Sequence, residues 1–162
     1  MSDLFHEDIP DGFIREVFRI MAQSKRHIFQ VLTKRADRLV SLSSDLLWPD
    51  NVWQGVSVEN EDYFWRLDRL RLVPAKVKFV SFEPLLGPVH GCSLHGIDWA
   101  IVGGESGPSF RPPQREWIRD VRNKCLKDKV YFFFKQWGGR TPKAGGNLLD
   151  GKAWQSTPPL GI

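Results

Sequence analysis

Five stretches of the chain are apolar at most positions: HIFQVLTKR (27–35), NVWQGVSVE (51–59), KVKFVSFEP (76–84), IDWAIVGGE (97–105) and KVYFFFKQW (129–137). Each is short and rich in β-branched or aromatic residues. Near-continuous apolar runs of this kind predict strands covered on both faces, as in a parallel sheet. Between them the apolar period lengthens to that of a helix. Residues 10–24 set Phe13, Ile14, Val17, Phe18 and Met21 on one face, with Pro10 near the start and Asp8 or Asp11 as the cap. A weaker helical pattern covers 35–47. Residues 60–73 group Phe64, Leu67 and Leu70 behind Asn60 as N-cap, and 113–128 group Trp117, Ile118, Val121 and Cys125. Residues 85–96, with Gly87, Pro88, Gly91 and Gly96, predict a loop where a further helix would fall. The alternation of strand and helix predicts an α/β protein with right-handed crossovers. Residues 140–162 are rich in Gly and Pro without a period, and predict an irregular tail draped over a domain formed by 1–139.

The polar residues fall in one place. Every predicted strand starts apolar and finishes polar: Thr33-Lys34-Arg35, Ser57-Val58-Glu59, Ser81-Phe82-Glu83, Gly103-Gly104-Glu105-Ser106 and Lys135-Gln136-Trp137. Ligands of parallel α/β folds bind at the carboxyl ends of strands. The five endings therefore predict one mouth, with Glu59, Glu83, Glu105 and Lys135 as candidates for chemistry. Ser57 and Glu59 lie two apart and share a strand face, as do Ser81 and Glu83. Three carboxylates in one mouth need cations among them, and Lys34, Arg35 and Lys135 are the internal candidates. Asp3, Ser81, Gln136 and Trp137 are candidates for substrate contact. Gly103, Gly104 and Gly107 would let a ligand lie against the backbone.

Other chemistries are less well supported. GGESG is neither a Walker loop nor Gly-x-Gly-x-x-Gly, and Glu105 would oppose an anion there. His90, Cys92 and His95 in HGCSLH could reach a metal, but short loops of this kind more often carry solvated histidines, and no metal site is expected. No serine sits in a nucleophile elbow.

Composition narrows the class further. A net charge of +4 with a pI near 9.2 permits a nucleic-acid or phosphate partner without requiring one. Lys124, Lys127 and Lys129 fit a solvated helix end. Seven Trp and eleven Phe predict a large aromatic core, or a stacking surface for a base. Two cysteines without a Cys-x-x-Cys pair form no disulfide framework or metal ribbon, and fit a reduced, cytoplasmic protein. The polar start carries no signal-peptide pattern, and no apolar run approaches the ~18 residues that span a membrane.

The ordered stretches MSDLFHEDIP, FQVLTKR, WPDNVWQGVSVEN, FVSFEPLLGP, IDWAIVGGESG and FFFKQWGG, with LLDGKAW in the tail, resemble an uncharacterised bacteriophage and prophage protein family. Its members are similar in layout to radical S-adenosylmethionine enzymes, TIM-type (β/α) barrels with a Cys-x-x-x-Cys-x-x-Cys triplet near the N-terminus. In that superfamily the triplet holds a [4Fe–4S] cluster whose fourth iron binds S-adenosylmethionine. By position, the resemblance implies cofactor contacts at Thr33, Lys34 and Arg35, at Ser57 and Glu59, at Gly103 and Gly104, and at Glu105 and Ser106.

The chain departs from that pattern in having no cysteine triplet. A full barrel takes ~250 residues, so the resemblance implies a partial TIM-type barrel of about five parallel strands, with Ser2 and Asp3 ending one more. No cofactor is expected for such a chain alone. S-adenosylmethionine and the cluster are implied for a full-length relative. The open sheet edges at IFQVLT and VYFFFK, and an uncovered interior face, would invite a separate N-terminal barrel piece or self-association, and would lower stability. A nucleic-acid or phage-protein binding module and a carboxylate-based, divalent-cation-dependent hydrolase are the alternatives. No membrane partner is expected.

Overall fold

A computed structural model describes residues 3–159. Five parallel strands form one sheet in the order β1-β2-β3-β4-β5: Phe29–Thr33, Val52–Ser57, Lys78–Phe82, Trp99–Gly103 and Tyr131–Gln136. Each lies inside its predicted run. All six residues of β2 are buried, as expected of a central parallel strand. Strand order follows chain order, so successive right-handed crossovers place their connections on the same face.

That face carries helices α1 (Asp11–Gln23), α2 (Ala36–Leu42), α3 (Trp65–Arg71) and α4 (Arg115–Asp128). Their buried residues join one core with the sheet residues Val52, Val56, Val80, Phe82, Ala100, Val102, Phe132 and Phe134. The 85–96 segment contributes Val89, Cys92 and Leu94 to the same core while remaining a loop, so it fills a helix's place without forming one. The opposite face holds a second cluster of Trp53, Phe79 and Trp99, flanked by Ile28, Leu32, Val77, Ile101 and Phe133. The Trp99 ring packs on Trp53, Phe79 and Phe133 at centroid distances of 5.7–6.0 Å, the range in which aromatic pairs attract beyond simple burial. Phe79 lies directly over Gly55, where an added Cβ would come within 2.4 Å of the ring.

Several local expectations change. The N-cap of α1 is Pro10, with no side-chain cap, so neither Asp8 nor Asp11 serves; Asp11 is the first helical residue. Phe13 is exposed, because the apolar stripe of α1 is wider than the face the sheet covers. The 35–47 pattern ends α2 at Leu42 and continues as a 3₁₀ turn, Ser43–Asp45. Asn60 caps as expected, but a 3₁₀ turn, Glu61–Tyr63, precedes α3. Asp3 lies outside any strand, and Ser2 lies outside the described residues.

The tail departs most from expectation. It forms a hairpin, β6 (Leu148–Leu149) and β7 (Lys152–Ala153), and then runs antiparallel along β5. Phe134 N donates to Trp154 O at 2.7 Å and Ser156 N to Phe132 O at 3.1 Å. The predicted open edge at VYFFFK is therefore covered by the chain itself. Trp99 Nε1 also donates to Ser156 O at 3.0 Å, so the tail reaches the aromatic face as well. Among the described residues, the outer edge of β1 has no strand partner.

Asn51 shows how the core meets the end of α1. Its buried Nδ2 donates to Met21 O, Ser24 O and His27 O at 3.0–3.3 Å. Asn51→Ala removes these three contacts, with Met21 O and Ser24 O keeping the Ser24 and His27 backbone donors, and is expected to destabilise the fold by about 2 kcal/mol. Urea denaturation checks this, with Asp50→Ala, at an exposed neighbour, as the near-neutral comparison.

Candidate functional site

The parallel register brings the polar endings together along the carboxyl edge of the sheet. Ser57 stands beside Ser81, and both are buried. Each carboxylate beyond them is held by a cation. Glu59, 6% exposed, is paired with Lys34 Nζ through Oε1 and with Arg66 Nη1 through Oε2 at 3.0 Å. Arg66 Nη1 also donates to Ser57 O at 2.8 Å, and its guanidinium lies 4.1 Å above the Tyr63 ring. Glu83 accepts from Lys135 Nζ at 2.8 Å. Gly103 leaves room for it, since a Cβ there would sit 3.1 Å from the Glu83 carboxyl carbon.

Glu105 is gripped by Arg111, whose Nε and Nη2 donate at 2.9 and 2.7 Å and whose backbone N–H donates at 2.8 Å. These bonds to the charged form, with the side chain's contribution largest, hold the Glu105 carboxyl at about 2. A folded-state value below the unfolded one stabilises the protein above the ordinary carboxylate range, and that contribution is lost as pH falls from ~4.3 toward about 2. An NMR titration should place the Glu105 midpoint near 2, and Arg111→Ala should return it to the ordinary range of ~4.3. A midpoint unmoved by that substitution would show that the pair does not hold in solution.

The remaining candidates divide between the mouth and the scaffold. Asp3 is a clamp: it accepts from Phe5 N, Thr33 Oγ1 and Lys34 N at 2.7–3.0 Å, and pairs with Arg35 at 3.5 Å. Thr33 is buried by that contact. Lys34, Arg35, Thr33 and Ser57 border a cleft of about 380 Å³ beside β1. Ser106 Oγ accepts from Gln136 Nε2 at 3.1 Å. Trp137 does not join the mouth. Its ring packs on Phe134 and under Arg115, and its Nε1 donates to Leu148 O. At Gly104 the space is taken by the carbonyl of Trp137, so this glycine serves a backbone-to-backbone approach.

Arg66 and Arg111, which sequence reasoning missed, complete the ion pairs. Arg66 occupies the helical stripe that Tyr63, Leu67 and Leu70 mark as apolar, so an arginine there was a readable signal. Arg111 sits in a loop and gave none.

Among the described residues no three His, Cys, Asp or Glu side chains stand close enough to hold a metal ion. His90 faces Asp120 at 3.1 Å, while Cys92 is buried. No described helix is long and apolar enough to cross a membrane.

Together these features define an α/β protein with a five-stranded parallel sheet, helices on one face, and a charge-paired mouth at the strands' carboxyl ends. The chain belongs to the family described as protein of unknown function (DUF5131), whose model matches residues 1–158. No curated protein and no solved structure matches the chain.

Proposed function

We propose that this chain supplies the later strands of a (β/α) barrel of the radical S-adenosylmethionine type, in a phage or prophage setting, and that alone it holds no cofactor and performs no radical chemistry. The observation that supports this reading best is the path into β1. Asp3 rests against the carboxyl end of β1, and α1 then leads back to that strand's start on the helix-covered face. This is the course of a crossover that follows a parallel strand lying beside β1. The outer edge of β1 carries no partner among the described residues. An N-terminal barrel piece, or a second copy of the chain, would pair there.

The cysteines present do not fit an iron–sulfur cluster. Cys92 and Cys125 belong to the core on the helix side. Burial pushes their thiols up to about 11 and about 12, whereas cluster ligands are thiolates. In a completed barrel, S-adenosylmethionine would suit the mouth better. Its ammonium and sulfonium complement Glu59 and Glu83, and its carboxylate complements Lys34 and Lys135. In this reading Ser57, Ser81 and Gly103 line the wall between these pairs.

The test is calorimetric titration of the purified chain with S-adenosylmethionine, alongside anaerobic reconstitution with iron and sulfide. The chain alone is expected to bind no S-adenosylmethionine and to develop no cluster absorbance. A stable cluster, or specific binding by the chain alone that Glu83→Gln weakens, overturns the proposal.

A further inference from the structure

A second cleft, of about 550 Å³, opens outside the strand ends, between the N-terminal segment, the start of α2 and the start of α3. Phe5, Lys34, Arg35, Trp65 and Arg66 line it, and Glu7 and Asp37 reach its rim. Two features there are unusual for a surface that only faces water.

The first is Arg66. It is 8% exposed, and Nη1 makes both of its hydrogen bonds, to Ser57 O and Glu59. Its Nε is buried with no partner. A guanidinium presents a rigid fork, and a buried donor without an acceptor is costly. The Nε side of this fork therefore lacks the acceptor that an oxyanion entering the cleft would supply. The local charge favours the same ligand, because Lys34 and Arg66 share the single carboxylate of Glu59. Arg35, half-exposed, is held only by Asp3 at 3.5 Å. Asp37 is engaged by Arg69 at 2.6 Å, which mutes the acidic rim.

The second feature is Trp65. Its indole is 41% exposed at the mouth of the cleft, with the Arg66 guanidinium 5.7 Å from its ring centre. A large aromatic ring left in water beside cations is a stacking platform for a flat ring that carries negative charge.

We infer that this cleft binds a nucleoside monophosphate unit, with the base on Trp65 and the phosphate held by Lys34, Arg35 and the free side of Arg66. The unit is either a free nucleotide or one residue of a single strand. The inference does not rest on the barrel reading, since the cleft and its residues stand whether or not further strands pair with β1.

The experiment is calorimetric titration of the full chain with AMP, adenosine, inorganic phosphate and a short single-stranded oligoadenylate RNA. AMP is expected to bind more tightly than adenosine or phosphate alone. Trp65→Ala should weaken AMP roughly tenfold while leaving phosphate binding unchanged, and Arg35→Ala should weaken both. Lys25→Ala removes the same charge just ahead of β1 and should change neither. Melting curves confirm that each variant is folded. An oligoadenylate that binds more tightly than AMP, with a salt dependence spanning several phosphates, identifies a strand as the source. Equal affinity identifies the free nucleotide. AMP that binds no better than adenosine, or that ignores Trp65→Ala in a folded variant, overturns the inference.

Discussion

Gly104→Ala is expected to destabilise the fold by more than about 3 kcal/mol, a loss confined to a few mechanisms such as severe overpacking. Gly107→Ala, three residues on, should cost only about 1–2 kcal/mol. Both glycines belong to the same GGESG motif, and the difference lies in what surrounds them. A Cβ on Gly104 would lie 1.9 Å from Trp137 O and 2.6 Å from Trp137 C. Those are backbone atoms, fixed by a ladder between the β4 and β5 ends: Gly104 N to Gln136 O at 2.9 Å, Gly139 N to Glu105 O and Gly107 N to Gly139 O, each at 3.0 Å. A side chain could swing away, but a carbonyl within this ladder cannot. Gly107 has φ +138 and nothing within 4 Å of its added Cβ, so alanine there meets backbone strain without a clash. Because this crossing carries Glu105, Ser106 and Gln136, the same substitution should also release the Glu105 carboxyl toward its ordinary range. Urea denaturation of both variants decides the matter. A Gly104→Ala cost no larger than that of Gly107→Ala would mean that the two loops do not cross as closely as described.

That contrast shows where the sequence was readable. The five strands were legible because helices cover one face and the cluster of Trp53, Phe79 and Trp99 fills the other, which leaves runs apolar at most positions even where β1 and β5 keep exposed residues. Their polar ends were legible for the same reason, since the run stops where burial stops. The cation partners were only half legible. Lys135 lies in β5 and Lys34 directly follows β1, whereas Arg111 comes from a loop whose path no period fixes. The glycines of GGESG were readable as sites of close approach, but not as sites of approach by another part of the same backbone. Phe13 misled because hydropathy marks what is apolar, not which part of a wide stripe a sheet reaches. In the tail, Asp150-Gly151 between short apolar stretches was a hairpin signal. Asp150 and Gly151 adopt φ +54 and +75, as a tight hairpin turn requires. The segment at 154–156, which bridges β5 at Phe133, had no pattern of its own, because such pairing needs only backbone groups.

Removing that tail is expected to have the second large effect. A chain ending at Ala153 keeps the β6–β7 hairpin but loses the segment that pairs with β5. Four hydrogen bonds disappear, two along β5, one from the Trp99 indole and one from the Trp154 indole to Leu149 O. Trp154 also leaves its place against Phe132, 5.9 Å between centroids, where Arg122 and Lys152 lie against its ring. At about 1 kcal/mol per net hydrogen bond, with the half-buried Trp154 ring added, the loss is roughly 4–5 kcal/mol. For a chain of this size that lowers the melting temperature by about 10 °C. The hairpin before the cut stays anchored, because Asp150 is held by Arg119 and Arg122 at 2.7 Å and by Arg115 at 3.5 Å. The change should therefore be local to β5, and its consequence is an exposed edge rich in phenylalanine. Unpaired strands of that kind template association, so the shortened chain should scatter light at concentrations where the intact chain does not. The intact chain presents its unpaired edge at β1, where Asp3 already accepts the Lys34 N–H at 2.9 Å. A barrel partner would thus add strands at the β1 edge, and full closure onto β5 would require the tail to leave that edge. A shortened chain that melts with the intact one and stays clear in solution would remove the tail from both roles.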